Sequence, residues 1–160
     1  MNTKKVADLP LVSIDDLDEL ERQATLEAVE VRHNAYVPIT GFKVGAALIT
    51  VDDNIYAGVN VENHILDVTH AEVNACNTMI TAGERQFKVL ICACKGNGVP
   101  CGACLQLTRE WTGPDLLNKV TVIGVNAHDT SKVIRCTFAE AMAVIDAFGP
   151  ETLGINPLEH

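Results

Sequence analysis

Long apolar runs are missing from this sequence. Its longest, such as 44–49 and 89–94, fall far short of the roughly 18 residues that a membrane span needs. Cations are scarce as well. Twelve Lys and Arg stand against 21 Asp and Glu, and the formal net charge of −9 disfavours any partner held by neutralising phosphates. Aromatic residues make up only 4% of the chain, and no cluster of Lys or Arg is interleaved with them, which argues against a nucleic-acid substrate. No secretion signal is legible, because Asp8 and Asp15-Asp16 stand where an apolar stretch would be needed, so a cytoplasmic protein is expected. Linkers, repeats and low-complexity segments are also lacking. One domain over residues 1–157 is therefore expected, with Leu158-Glu159-His160 set aside as an expression-tag remnant.

What is present is enough for a core: 48% of the residues are hydrophobic, which excludes disorder as the main reading. Ser13 can cap a helix over residues 14–34, whose apolar positions Ile14, Leu17, Leu20, Ala24, Ala28 and Val31 follow helical spacing. Residues 43–51 and 54–59 read as a hairpin turned by Asp52-Asp53-Asn54, and 60–69 as an irregular polar stretch. A second helix opens at His70 and ends at Gly83. A buried strand over 87–94, a loop, a helix over 101–111, strands over 119–126 and 132–135, and a helix over 138–148 complete the order. The expected architecture is α/β, a single mixed sheet of about five strands covered by helices.

Six cysteines in a reducing compartment are poor evidence for disulfides. Cys76, Cys92, Cys94 and Cys136 lie in apolar stretches and read as small buried hydrophobes. Cys101 and Cys104 differ, because they form a Pro-Cys-x-x-Cys turn at one helix start while His70 and Glu72 form His-Ala-Glu at another. One imidazole and two thiolates suit zinc, and three protein ligands leave a fourth position for water, as in catalytic sites. Backbone N–H groups at a helix start favour the thiolate form. Glu72, in the same first turn as His70, can reach a water on the metal without being a ligand, which is where a general acid/base is needed.

This order of fragments is the pattern of the zinc-dependent deaminases that attack cytosine or adenine. The sequence resembles the cytidine deaminase family from about Ala35 to Leu153. Besides the metal motif, Ala35-Tyr36-Val37-Pro38-Ile39-Thr40-Gly41-Phe42-Lys43-Val44-Gly45-Ala46-Ala47-Leu48 is similar to the family's Ala-Tyr-x-Pro-Tyr-Ser-x-Phe-x-Val-Gly-Ala-Ala-Leu entry. Gly58-Val59-Asn60-Val61-Glu62-Asn63 and Phe148-Gly149-Pro150-Glu151 match its Gly-x-Asn-Ile-Glu-Asn and Phe-Gly-Pro-Glu segments. The resemblance implies a three-layer fold, with Zn²⁺ on His70, Cys101 and Cys104, and Glu72 moving protons to the pyrimidine N3 and the departing amine. It further implies that Phe42 packs on the base, Asn60 and Glu62 bind a ribose hydroxyl, and the Ala71 N–H donates to the pyrimidine. Phe148 would reach a neighbouring subunit's site, which implies a homotetramer, with a homodimer as the alternative. The substrate would be a small nucleoside, cytidine or deoxycytidine, with no nucleic acid or membrane as partner.

Small family members commonly use three cysteines on zinc with an Arg after the Glu and another after the last Cys. Here His70, Val73 and Leu105 occupy those positions. The changes agree with one another, since one neutral His and two thiolates already balance the charge of Zn²⁺ and a buried Arg would be uncompensated. The loop from Asn63 to His70 lacks the family's aromatic residue and is one residue shorter. That opens the alternatives of a modified aminopyrimidine nucleoside such as blasticidin S, with His64 and Asp67 as contacts, or of a non-catalytic zinc-binding ligand sensor. The position of Glu72 argues against the last, because a structural site needs no carboxylate beside an open coordination position.

Overall fold

A computed structural model describes residues 5–65, 67–113 and 118–145. The chain order is β1 (Leu11–Ser13), α1 (Glu19–Val31), β2 (Gly45–Thr50), β3 (Ile55–Val59), β4 (Val61–Glu62), β5 (Val68–Thr69), α2 (Ala71–Thr81), β6 (Phe87–Cys94), α3 (Gly102–Thr108), β7 (Thr121–Asn126), β8 (Asp129–Thr137) and α4 (Phe138–Ile145). Six strands form one sheet in the order β1-β8-β7-β6-β2-β3, and β4 and β5 form a separate two-stranded ladder. All neighbours in the large sheet are antiparallel except β6 and β7, which α3 joins as a crossover.

Alternation along the strands sorts the core into two halves. Ala47, Ile49, Val89, Ile91, Ala93, Ile123, Val125 and Val133 face Ala24 and Ala28 of α1. Ala46, Leu48, Leu90, Val122 and Ile134 face the other side, where Ala71, Ala75 and Met79 of α2, Leu105 of α3 and Phe138, Ala141 and Val144 of α4 cover them. The result is the expected three layers, helix on sheet on helix. One close approach sets the position of α2: a Cβ on Gly58 would stand 2.3 Å from the Ala75 nitrogen and 2.6 Å from the Ala71 oxygen, so only glycine lets the helix lie this near β3.

The expected helix over 14–34 is broken. Ser13 does cap a turn, but only the 3₁₀ turn Ile14–Asp16, and Leu17 is extended at φ −72°, ψ 147°. Burying Leu17 in the core redirects the chain, and Asp18 begins α1 by accepting a hydrogen bond from Glu21 N–H at 2.8 Å. A sixth strand, β1, joins the sheet edge through Leu11, Val12 and Ser13 opposite Ile134, Val133 and Lys132. The stretch 60–69, expected to be irregular, contains the short ladder of β4 and β5, and β8 is longer than the expected 132–135. Within the 101–111 stretch, α3 ends at Thr108 and a 3₁₀ turn continues to Thr112. The last helix is described to Ile145, so Phe148 and the 158–160 segment lie outside the described residues.

Candidate metal centre and substrate cavity

His70 and Cys101 occupy equivalent positions, each the residue that precedes the first helical turn of α2 and α3. Both have extended backbone, and neither side chain caps its own helix, which leaves imidazole and thiol free to meet. His70 Nδ1 lies 3.5 Å from Cys101 Sγ and 3.2 Å from Cys104 Sγ, and the three donor atoms all fall within 4.8 Å of one another. Tetrahedral zinc with ordinary Zn–N and Zn–S bonds places nitrogen and sulfur ligands about 3.5 Å apart, so both the spacing and the N/S donor set fit that ion. His70 and Cys101 are exposed and Cys104 is buried, which leaves one side of the trio open.

The two thiols differ in proton affinity. Cys101 is lowered to about 5, chiefly because the Cys104 thiol donates to it, with the backbone N–H of Cys104 and His70 adding to the effect. Cys104 is raised, since its single proton lies between Cys101 and the carboxylate of Glu72, 3.3 Å from Sγ to Oε2, and the thiol is desolvated. A metal ion would replace that shared proton. Glu72 is 4% exposed, and burial raises its carboxyl above the ordinary value.

A cavity of about 530 Å³ opens over these groups. Phe42, Asn60, Glu62, His70, Ala71, Glu72 and Cys101 all line it, with Thr40, Val44, Val68, Cys92, Cys94 and Val99. The structure thus brings together the expected site residues that it describes, with Cys104 buried behind the wall. Asn60 and Glu62 also organise the 36–44 loop. Glu62 accepts from Ile39 N–H at 2.9 Å, from Thr40 N–H at 3.1 Å and from the Thr40 hydroxyl, and these bonds hold its pKa below the usual carboxylate value. Asn60 accepts from Val44 N–H at 2.8 Å and donates to the Phe42 carbonyl at 2.9 Å. Capacity is left on both: one oxygen lone pair on Glu62, and one oxygen lone pair and one amide N–H on Asn60. His64 and Asp67 are exposed and do not line this cavity. A second cavity of about 540 Å³ lies at the C-terminal end of α2, around Glu84, Arg85, Glu110 and Trp111, and has no thiol or imidazole in its wall.

Cys76 and Cys136 are core residues, as expected, and burial raises them to about 12 and about 11. Cys92 and Cys94 are not simple core: both line the cavity, and Cys94 is only half-buried. The period of two along β6 puts Leu90, Cys92 and Cys94 on one face, and that face leads to the site.

Comparison with known proteins agrees with this geometry. Residues 18–117 match the family described as the cytidine and deoxycytidylate deaminase zinc-binding region. The chain is 41% identical over 88 residues to a cytidine deaminase of Sporosarcina psychrophila, a match that spans 53% of this chain and 65% of that protein. It is 36% identical over 95 residues to the cytidine deaminase of Halalkalibacterium halodurans, covering 57% of this chain and 72% of the relative. The crystal structure of cytidine deaminase from Burkholderia pseudomallei superposes with a TM-score of 0.65 at 31% identity, over 74% of this chain and 93% of that one. By that family match over residues 18–117, the chain belongs to the cytidine and deoxycytidylate deaminase family of zinc-binding proteins.

Proposed function

We propose that the protein is a zinc-dependent hydrolytic deaminase that converts cytidine or deoxycytidine and water into uridine or deoxyuridine and ammonia. The observation that carries this reading is the placement of Glu72, a buried carboxyl in the first turn of α2, two residues beyond His70 and on the wall of the same cavity. His70, Cys101 and Cys104 would hold the metal. Bound there, zinc supplies a water acidic enough to be a nucleophile at neutral pH. Glu72 would take a proton from the attacking water and pass it to the pyrimidine N3, then take the second proton from the hydroxyl so added at C4 and give it to the amine that leaves as ammonia; its burial favours a group that both accepts and returns a proton. The Ala71 N–H, one of the first-turn donors without an intrahelical partner, supplies a hydrogen bond to the base. Phe42 offers a ring at the cavity wall, and the free capacity of Asn60 and Glu62 serves a sugar hydroxyl.

A homo-oligomer is part of the proposal, a tetramer before a dimer. Tyr36, Ile39, Phe42, Ile65 and Val68 are large apolar side chains left exposed on the 36–42 and 65–68 segments, Ile65 at 72%. We place the activity in one domain over residues 1–157 of a cytoplasmic protein; no described helix is long and apolar enough to cross a membrane. The 63–69 loop, with exposed Ile65 and no aromatic residue, favours blasticidin S or a similar aminopyrimidine as the second reading. Ammonia release from cytidine by zinc-loaded protein, with Glu72→Ala as control, tests the proposal. Release that disappears in the variant is expected; no release with zinc bound would move the substrate to the second reading.

A further inference from the structure

The three candidate ligands are held by different means. Cys104 lies inside α3 and is buried, and His70 opens α2, whose distance from the sheet is set at Gly58. Cys101 instead stands at the end of a loop, residues 95–100, that has left the sheet, and the α3 helix behind it is only seven residues long. That loop is fixed at its far end. The parallel ladder of β6 and β7 ends at the pair Cys94 and Asn126, and side chains carry the pairing further. Asn126 Oδ1 accepts from Gly96 N–H at 3.2 Å and from His128 N–H at 3.0 Å, while Asn126 N–H donates to Asn97 Oδ1 at 3.0 Å. Ala127 N–H donates to the Cys94 carbonyl at 2.9 Å. Beyond this clasp the loop lies directly on the sheet, where a Cβ at Gly124 would stand 1.9 Å from the Gly98 oxygen. Val99 then packs on the core and lines the cavity, Pro100 is buried, and Cys101 follows.

We propose that Asn126 is a positioning residue for Cys101: its side chain ties the 95–100 loop to the end of β7 and so sets where the Cys101 thiol stands relative to His70 and Cys104. This rests on the reading of those three residues as the zinc ligands. Gly96 has φ +91°, a conformation that glycine adopts without strain, so the loop turns at the very residue whose N–H Asn126 holds. With Gly98 seated against Gly124 and φ locked at Pro100, little freedom is left between the clasp and the ligand. What Asn126 supplies to the loop is an acceptor. Both partners of its Oδ1 are N–H groups, and a carboxylate in the same place could accept both bonds. Asn97 is a weaker candidate for the role, because it is exposed and its bond comes from the backbone of residue 126, which a substitution there retains.

The test is the zinc affinity of the full chain, read by competition with a chromophoric chelator. Asn126→Ala should weaken zinc binding about tenfold, the lower end of the scale for groups that orient a metal ligand from behind. Asn126→Asp keeps the acceptor and should recover most of the affinity. Asp129→Ala loosens the same β7–β8 turn, where Asp129 accepts from Ser131 N–H at 3.1 Å, without touching the loop, and should bind zinc as the parent does. Equal losses in Asn126→Ala and Asp129→Ala would mean a general weakening of the turn. That result, equal losses in Asn126→Ala and Asn126→Asp, or parental affinity in Asn126→Ala overturns the proposal. A second readout needs no metal. Amide hydrogen exchange at Gly96, followed by NMR, should quicken about tenfold in Asn126→Ala as the N–H loses its acceptor; a rate that ignores the substitution also overturns the proposal. Should the parent bind no zinc while that rate responds to Asn126, the metal reading falls and the hold of Asn126 on the loop stands.

Discussion

The two faces of the sheet use the same strands for opposite purposes. Towards α1, the alternate residues Ile49, Val89, Ile91, Ile123, Val125 and Val133 are branched and completely covered. Towards α2, the row between them thins to Gly58, Ala46, Cys92 and Gly124, and the volume given up there lets α2 and the loop before α3 bring His70, Glu72 and Cys101 to one cavity. A single step of one residue along a strand separates a position in the covered core from one on the cavity wall. Burial alone does not distinguish them, since Ile91 and Cys92 are both buried.

Substitutions on the two faces should therefore fail in different ways. Glu72→Ala should cost about a thousandfold in kcat, within the range for a general acid/base, while leaving the unfolding midpoint unchanged or raised because an unfavourably buried carboxyl is gone. Ile91→Ala, on the α1 face, should do the reverse: a loss of about 3 kcal/mol in denaturant unfolding, with kcat retained in the folded fraction. Gly58→Ala breaks the comparison by pushing the helix off the sheet. About 2 kcal/mol of stability should go with it, and zinc content measured by mass spectrometry should fall because His70 moves with α2. The smallest effect is expected on the α1 face where it is open to solvent, since Arg135 pairs with Ile123 and is itself half-exposed. Arg135 donates to the buried Glu21 at 2.8 and 3.3 Å, and Arg135→Ala should cost about 1 kcal/mol in the same unfolding experiment, a buried pair discounted for the half-exposed Arg. Equal loss of activity and stability in Ile91→Ala would show that the faces are not separable.

The sequence made the site more legible than the sheet edges. The boundaries of β6 and the openings of α2 and α3 follow from an apolar run between turn residues and from motifs at helix starts, signals that are local. β1 has three residues and no periodicity of its own; it is a strand because β8 offers it partners. The break at Leu17 obeys burial over helical spacing, and β8 extends past its apolar segment because β7 pairs with it to Thr137. Cys92 and Cys94 were hidden for another reason. Their composition reads as core, and only the row of small neighbours on adjacent strands, which no single segment reveals, turns that face into a cavity wall.

The pairing of β1 with β8 has a consequence for the order of assembly during synthesis. The segment made early finds its partner among the late ones: Leu11 must wait for Ile134, and the carboxylate of Glu21 for Arg135. A nascent chain that has already emitted the residues of β2, β3, α2, β6 and α3 holds both halves of the metal trio while its first strand still has nothing to pair with. Closure of that edge is a long-range, late event, and a chain stalled before β8 would carry its candidate metal ligands on an unfinished sheet with an open, aggregation-prone margin.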